Sequence, residues 1–435
     1  MVNNMVEQAK GTSSHVKVAT AALIGTAIEW FDFFIYGTAT ALVFNKLFFP
    51  TLDPLTGTLA AYGTFAMGFV ARPVGGFIFG HYGDRIGRKK MLYLTLLIMG
   101  SATFVIGCLP TYNSVGLWAP ILLVTCRVLQ GFALGGEWGG AVLMAVEHAP
   151  SNRRGFYGSW PQLGAPLGLV IGMILFSFTT NVMSDTDFLD WGWRIPFLAS
   201  IVLVLVGLYI RSKIAESPQF QKIKDLKQEV KMPVIESIRR HPKEILLAIG
   251  ARFAENAFAY IYAFFVITYA TQALGMPRQS ILNGVMIASA IEVFTIPMFG
   301  LLSDKIGRRP VYIFGAVFAA AASFPLFILM NTKVAYLGWL GIIGGLAVGH
   351  AAMFGPQASF LSEMFGTKVR YSGVSLGYNL ASIFAGALSP AICTWLFMKF
   401  KPATFPISLY MTGLALITIV AVYFAVESHK KDTEY

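Results

Sequence analysis

Apolar residues run along this 435-residue chain in long blocks separated by short polar segments, from Val18 almost to the C-terminus. An α-helix of about 20 predominantly apolar residues crosses the hydrocarbon core of a bilayer. Twelve spans are predicted: 18–44, 58–81, 91–109, 116–146, 156–180, 193–211, 243–272, 281–302, 311–330, 334–364, 373–397 and 403–426. The predicted fold class is an all-α membrane protein with twelve transmembrane helices in two six-helix bundles. Met1 to Lys17 is polar, and the first block is too long for a signal-peptide core of about 7–15 residues. It is expected to stay in place as the first span.

The longest polar break, residues 212–242, carries Lys222, Lys224, Asp225, Lys227, Glu229 and Lys231. It divides the chain into an N-terminal bundle, 1–211, and a C-terminal bundle, 243–435, and reads as a solvated cytoplasmic linker rather than a regulatory element.

Composition agrees with the pattern. Apolar residues make up 56% of the chain and charged residues 13%, whereas soluble domains carry about a quarter charged residues. The net charge of +11 would suggest a nucleic-acid partner in a soluble protein, but its distribution is topological. The N-terminus, the C-terminus and the loops on their side hold 24 of the 33 Lys and Arg residues. The opposite loops hold six: Lys46, Arg194, Arg278, Lys333, Lys399 and Lys401. Positive loops face the cytoplasm, so both termini are expected there. Cys108, Cys126 and Cys393 fall within spans and are expected to be inert packing residues, with no disulfide framework.

The chain repeats itself. Gly80-His81-Tyr82-Gly83-Asp84-Arg85-Ile86-Gly87-Arg88-Lys89-Lys90 joins spans 2 and 3, and Gly300-Leu301-Leu302-Ser303-Asp304-Lys305-Ile306-Gly307-Arg308-Arg309-Pro310 joins spans 8 and 9. Glu147 and Arg154 after span 4 are matched by Glu363 and Arg370 after span 10, at the same internal spacing. Flanking positive charge alone needs neither the aspartate nor glycines at fixed spacing. Acidic and basic groups in these loops are expected to pair across the seam between the halves, so that breaking the pairs frees one half to rock.

The doubled Gly-x-x-x-Asp-Arg/Lys-x-Gly-Arg-Arg/Lys loop resembles the signature of the major facilitator superfamily. Four further segments resemble its metabolite:proton symporters: Glu29-Trp30-Phe31-Asp32-Phe33, Ala71-Arg72-Pro73-Val74-Gly75-Gly76, Gly135-Gly136-Glu137-Trp138-Gly139-Gly140 and Trp191-Gly192-Trp193-Arg194-Ile195-Pro196-Phe197. The resemblance covers essentially the whole chain, with a shikimate-permease-like flavour. It implies a multi-pass protein of the bacterial inner membrane that takes up a small metabolite with protons. Members of that family carry shikimate, 2-oxoglutarate, citrate, dicarboxylates, or proline and betaine. The chain stops soon after Glu427 without heptads, which speaks against the osmosensory branch with its long coiled coil. A functional monomer is expected, with the lipid bilayer, a small solute and the proton as partners and no cofactor.

Ionisable groups inside spans are costly and suggest function by default. At 1.5 Å per residue, Asp32 lies roughly 21 Å from the inner surface and Arg127 roughly 17 Å from the outer one, both near the middle. Glu29 shares a helical face with Asp32. Asp32 is the candidate proton-coupling carboxylate and Arg127 its counter-ion, and the resemblance supports this, since proton-coupled sugar transporters of the superfamily pair such groups. A static ion pair is the competing reading.

Arg252, Glu255 and Asn256 share one face of span 7. Arg offers a planar fork suited to a carboxylate, which Glu255 could neutralise when the site is empty; a structural Arg–Glu pair within the helix is the competing reading. Tyr260 and Tyr262 could add hydroxyl donors or simply pack. Glu292 in span 8 fits a cationic or hydroxyl-rich solute, a second proton site or a satisfied Glu–Arg pair. Gln162 and Asn379 are candidate solute contacts or interhelical hydrogen bonds. Arg72 and Glu137 are assigned to gating or structural networks, together with Asp84, Arg85, Arg88, Glu147, Arg154, Asp304, Arg308, Glu363 and Arg370. His350 reads as a packed, hydrogen-bonded histidine. Glycines at four-residue spacing (Gly131, Gly135, Gly139 and Gly164, Gly168, Gly172) allow close helix contact, and Pro161 and Pro166 permit bending.

No nucleotide-binding loop or Cys/His cluster with metal spacing is present, so no metal or enzymatic activity is expected. Three functions follow: proton-driven import of a small organic acid, or of a zwitterion such as betaine or proline; proton-driven export, which Gly164-Ala165-Pro166-Leu167-Gly168 loosely suggests; and a non-transporting receptor.

Overall fold

The computed structural model describes residues 2–86, 88–136, 138–213, 238–365 and 370–427. No β-strand occurs among them. Ten helices are long and apolar enough to cross a membrane. They are α1 (Val18–Leu47), α4 (Trp118–Leu143), α5 (Ser151–Val182), α6 (Gly192–Tyr209), α7 (Pro242–Ala273), α8 (Arg278–Ile306), α9 (Arg308–Asn331), α10 (Ala335–Glu363), α11 (Gly373–Phe400) and α12 (Phe405–Phe424). With α2 (Pro54–Ile86) and α3 (Arg88–Cys108) they make twelve. Most of the expected linker falls on 214–237, outside the described residues.

Packing repeats between the halves as the sequence does. In the first half α1 lies on α5, α2 on α4 and α3 on α6; in the second α7 lies on α11, α8 on α10 and α9 on α12. The halves meet through α5 against α8 and α10, and through α2 against α11. Glycine sets several of these contacts. A Cβ at Gly131 or Gly135 would collide with the carbonyl of Gly68 or Arg72, so α2 and α4 touch backbone to backbone. Gly164 and Gly168 bring α5 equally close to Thr26 and Phe31 of α1. Gly307 sits at φ 103° between α8 and α9, a backbone region that side chains with a Cβ rarely adopt.

The Trp193-Arg194 segment has a local role. Arg194 Nη1 donates to the carbonyls of Gly107 and Leu109 at 2.8 and 2.7 Å, satisfying the orphan acceptors at the C-terminus of α3. Trp193 is fully buried against Phe44, Phe48 and Phe197.

Several expectations are refined. α5 starts at Ser151, ahead of the predicted 156, and a short helix, Tyr112–Val115, precedes α4. Cys126 and Cys393 are buried, but Cys108 is exposed at the end of α3 and is not a packing residue. Wide π-type turns, which recur at functional sites, interrupt α1 (Thr40–Phe44), α7 (Ile261–Phe265 and Tyr269–Ala273), α10 (Gly344–His350) and α11 (Ser382–Ala387).

Candidate functional site

A cavity with about 430 Å³ of empty space lies between the halves. α1 contributes Trp30 and Phe34, and α5 contributes Ala165, Pro166 and Leu169. α7 lines it with Arg252, Glu255, Asn256 and Tyr260, α8 with Glu292, and α10 with His350 and Phe354. One wall is therefore apolar and aromatic, and the other carries charge.

The charged wall is a connected network. Arg252 Nε donates to Glu255 Oε2 at 3.1 Å, one helical turn away, as the shared face predicted. Its Nη1 donates to the Tyr378 carbonyl at 3.0 Å and to Ser382 Oγ at 3.3 Å. Its guanidinium lies 3.4 Å over the Tyr378 ring, and that ring stacks on Trp138 of the opposite half at 3.6 Å. Asn256 Nδ2 donates to Ser382 Oγ at 2.9 Å. Gln357 Nε2 reaches Glu255 Oε2 at 2.7 Å and Tyr312 Oη at 3.0 Å. His350 joins the two acids: its Nδ1 is 2.5 Å from Glu292 Oε1 and its Nε2 is 3.5 Å from Glu255 Oε1. Histidine, and not arginine, is the partner of Glu292.

Gln162 and Asn379 do not line the cavity. Gln162 Nε2 donates to Gln357 Oε1 at 3.3 Å while its Oε1 accepts from Trp138 at 3.1 Å, and Asn379 Nδ2 donates to the Gly135 carbonyl at 3.4 Å. The bonds to Gln357 and to the Gly135 carbonyl join the halves, and the bond from Trp138 lies within the first half. Tyr262 is buried, and its hydroxyl finds no hydrogen-bond partner among the described residues.

In the first half, Asp32 and Glu29 are buried in α1 and Arg127 in α4. The expected ion pair between Asp32 and Arg127 is not formed in this structure. Arg127 is held instead over the rings of Phe33 at 4.5 Å, Tyr36 at 4.3 Å and Phe65 at 4.5 Å, and it donates to Gln130 Oε1 at 3.1 Å. Aromatic faces compete for a cation in a dry interior. Neither oxygen of Asp32 has a hydrogen-bond partner of ordinary geometry among the described residues. The neighbouring Thr103 hydroxyl donates to the Met99 carbonyl at 2.9 Å and accepts from Gln130 at 2.7 Å. Arg72 lies over the rings of Phe69 at 4.2 Å and Phe33 at 4.8 Å.

Contacts between the halves close the protein at both ends of this cavity. At the end of α8, Asp304 accepts the N–H groups of Gly155 and Phe156 at 2.8 and 2.9 Å, where α5 begins. Buried Arg308 holds Asp304 at 2.6 Å and Glu363 at 3.2 Å. The seam is thus bridged by a carboxylate on a helix N-terminus, and the Arg308 pairs with Asp304 and Glu363 lie within the second half rather than across it. Arg154 stands beside Gly155 at the start of α5. Asp84, Arg85, Arg88, Glu137, Glu147 and Arg370 lie outside the residues whose side chains are described.

At the other end, Tyr62 and Thr268 share a hydrogen bond of 3.0 Å and Gln272 Nε2 donates to Thr58 at 3.0 Å. Gln279 bonds Thr180 and Ser177, and Arg278 pairs with Asp185 at 3.4 Å. These contacts were not singled out in the sequence, since Thr, Gln and Tyr near span ends are ordinary there. Gln357, by contrast, is a lone amide within a span and carried a signal.

Comparisons with known proteins agree with this geometry. The family model of the Major Facilitator Superfamily matches residues 22–374. The chain is 41% identical to the shikimate transporter of Escherichia coli K12 over 97% of both chains. It is 41% identical to the inner membrane metabolite transport protein YhjE of the same strain, over 96% of this chain and 95% of that one. The Escherichia coli K12 proline/betaine transporter is 37% identical over 93% of this chain and 82% of its own. Among solved structures, the partially occluded inward-open xylose transporter XylE of Escherichia coli superposes with a TM-score of 0.72 at 19% identity, over 97% of this chain and 100% of that one. The chain therefore belongs to the major facilitator superfamily, among its metabolite:proton symporters, as a multi-pass transporter of the bacterial inner membrane.

Proposed function

We propose that this protein imports a small hydroxylated organic acid, of the shikimate or dicarboxylate kind, together with a proton, by alternating exposure of the cavity between its halves. The observation that carries this reading is Arg252 at the cavity wall, paired with a carboxylate of its own helix at 3.1 Å. A solute carboxylate can replace Glu255 on the guanidinium fork, with Glu255 passing to His350 and Gln357, which already touch it, and the proton that enters with the solute offsetting the added negative charge. Glu292 and Asn256 offer partners for hydroxyl groups, and Trp30, Phe34 and Phe354 offer faces for a carbon ring. The shikimate transporter's identity over nearly the whole chain points the same way.

In this scheme Asp32 is the coupling carboxylate of the first half, with Glu29 beside it and Arg127 as the cation that approaches it in another state. Asp304, Arg308 and Glu363 latch the end where α5 begins; Asp84, Arg85, Arg88, Glu147, Arg154 and Arg370 act with them by the internal repeat. Arg72 and Glu137 serve the adjoining network. The protein works as a monomer. The observation favouring a zwitterion instead is the aromatic wall of Trp30, Phe34, Tyr260 and Phe354, which suits a quaternary ammonium group, alongside the proline/betaine relatives.

The test is uptake into proteoliposomes under an imposed inward proton gradient, with labelled shikimate and glycine betaine offered separately. The acid reading predicts gradient-dependent accumulation of shikimate. Uptake of betaine with none of shikimate would replace it with the zwitterion reading.

A further inference from the structure

Four ionisable side chains meet at the cavity wall with almost no exposure: Arg252, Glu255, Glu292 and His350. They carry two carboxylates and one guanidinium. Arg252 is committed to Glu255, and it also donates to the Tyr378 carbonyl and to Ser382 Oγ. No arginine or lysine pairs with Glu292 among the described residues. Two buried acids sharing one cation leave an uncompensated negative charge, which a low-dielectric interior does not tolerate.

The imidazole supplies the missing charge. Both ring nitrogens of His350 face carboxylate oxygens, Nδ1 toward Glu292 at 2.5 Å and Nε2 toward Glu255 at 3.5 Å. A neutral imidazole has one N–H, so one of its nitrogens would turn a lone pair toward a carboxylate. A ring protonated on both nitrogens satisfies both acids and makes the cluster neutral. We propose that Glu292 and His350 together hold one exchangeable proton, so that α8 and α10 carry a second proton-binding site of the transporter, in the opposite half from Asp32.

The surroundings define the site. Helix α7 presents Arg252 and Glu255 to the pair, and Tyr312 of α9 reaches Glu255 only through Gln357. On the cavity side α5 presents Ala165, Pro166 and Leu169, and α1 presents Trp30 and Phe34, none of them ionisable. Phe354 stacks on the imidazole at 4.9 Å. Glu292 and His350 both line the cavity, so water entering when the halves part reaches them. Loading transfers a proton from hydronium to the pair and leaves water, and release returns a proton to water on the other side. The π-type turn Gly344–His350 ends at this histidine, giving α10 a wide turn where the ring must move as its partners change. A solute carboxylate on Arg252 would push Glu255 toward Nε2 and hold the proton in place until the solute leaves. That last step rests on the proposed organic-acid reading; the proton site does not.

The experiment counts protons without any solute. Purified wild-type protein in weakly buffered detergent is titrated from acid to alkaline pH, and the protons released are compared with those from Glu292→Gln and Glu292→Asp. Wild type is expected to release one proton more than Glu292→Gln, with Glu292→Asp restoring it and Asp32→Asn still showing the difference. Equal release from wild type and Glu292→Gln overturns the proposal and leaves a static ion pair. A difference that vanishes in Asp32→Asn also overturns it, since the proton would then belong to Asp32. In proteoliposomes, the voltage at which shikimate flux reverses should report one proton fewer per solute for Glu292→Gln. If wild type moves no shikimate, the organic-acid reading fails while the proton count still decides this one.

Discussion

The carboxylate of Asp304 accepts the backbone N–H of Gly155 at 2.8 Å, joining the end of α8 to the start of α5 across the seam of the molecule. Its second oxygen accepts from Phe156 at 2.9 Å, and Arg308 donates at 2.6 Å to the same oxygen that accepts from Gly155. Hydrogen bonds to a charged group contribute about 1.5–3 kcal/mol each. Asp304→Asn removes the charge and one acceptor, so conformations open at this end should gain about tenfold or more in population. The readout is maleimide labelling of Ser159→Cys, a buried position on α5, with exposed Cys108 replaced. Faster labelling in the Asp304→Asn background is predicted, and equal rates would show that the latch does not hold this end.

Arg252 and Glu255 support each other in the interior. Removing one member of a buried ion pair costs about 3–5 kcal/mol because the other charge is stranded. Arg252→Gln should therefore lower thermal stability sharply, and Arg252→Gln with Glu255→Gln should recover most of it. Uptake should be lost in both. A stable double variant that transports at the wild-type rate would remove Arg252 from the solute site.

Close helix contact makes a separate prediction. A Cβ at Gly155 would lie 2.5 Å from the Gly300 carbonyl and 2.7 Å from Ser303 Oγ. Forcing extra atoms into such a contact costs about 1–3 kcal/mol, here against the closed end alone. Gly155→Ala should raise Ser159→Cys labelling as Asp304→Asn does, while a Cβ at Gly413, which meets nothing within 4 Å, should change neither labelling nor melting temperature. Unchanged labelling in Gly155→Ala would argue against a tight seam.

Glu427, just past α12, accepts the N–H groups of Arg308 and Arg309 at 3.0 and 2.9 Å and so caps α9. Loss of a cap costs about 0.5–2 kcal/mol. Glu427→Ala should speed hydrogen exchange at the first turn of α9, and unchanged protection there would contradict the cap.

Much of this was legible because membrane burial imposes strong patterns. Twelve apolar blocks became twelve helices, and the doubled loop announced a repeat that the pairing of α2 with α4 and α8 with α10 reproduces. The Arg252–Glu255 pair followed from helical spacing alone. Depth along a helix, by contrast, does not give rotation. Asp32 and Arg127 were both expected near the middle of the membrane, yet Arg127 turns onto Phe33, Tyr36 and Phe65. The tie between Glu292 and His350 joins residues 58 apart, and periodicity within one span cannot see it. The π-type turns were also hidden, since apolar residues fill a wide turn as readily as a regular one.

The central claim is that solute and proton enter together, and internal pH tests it most directly. Shikimate, and in parallel glycine betaine, is added outside proteoliposomes that contain a pH-sensitive dye, with no gradient imposed. The account predicts that the interior acidifies as shikimate enters, and that Asp32→Asn weakens this acidification. Solute entry with no change in internal pH, or with alkalinisation, would contradict it.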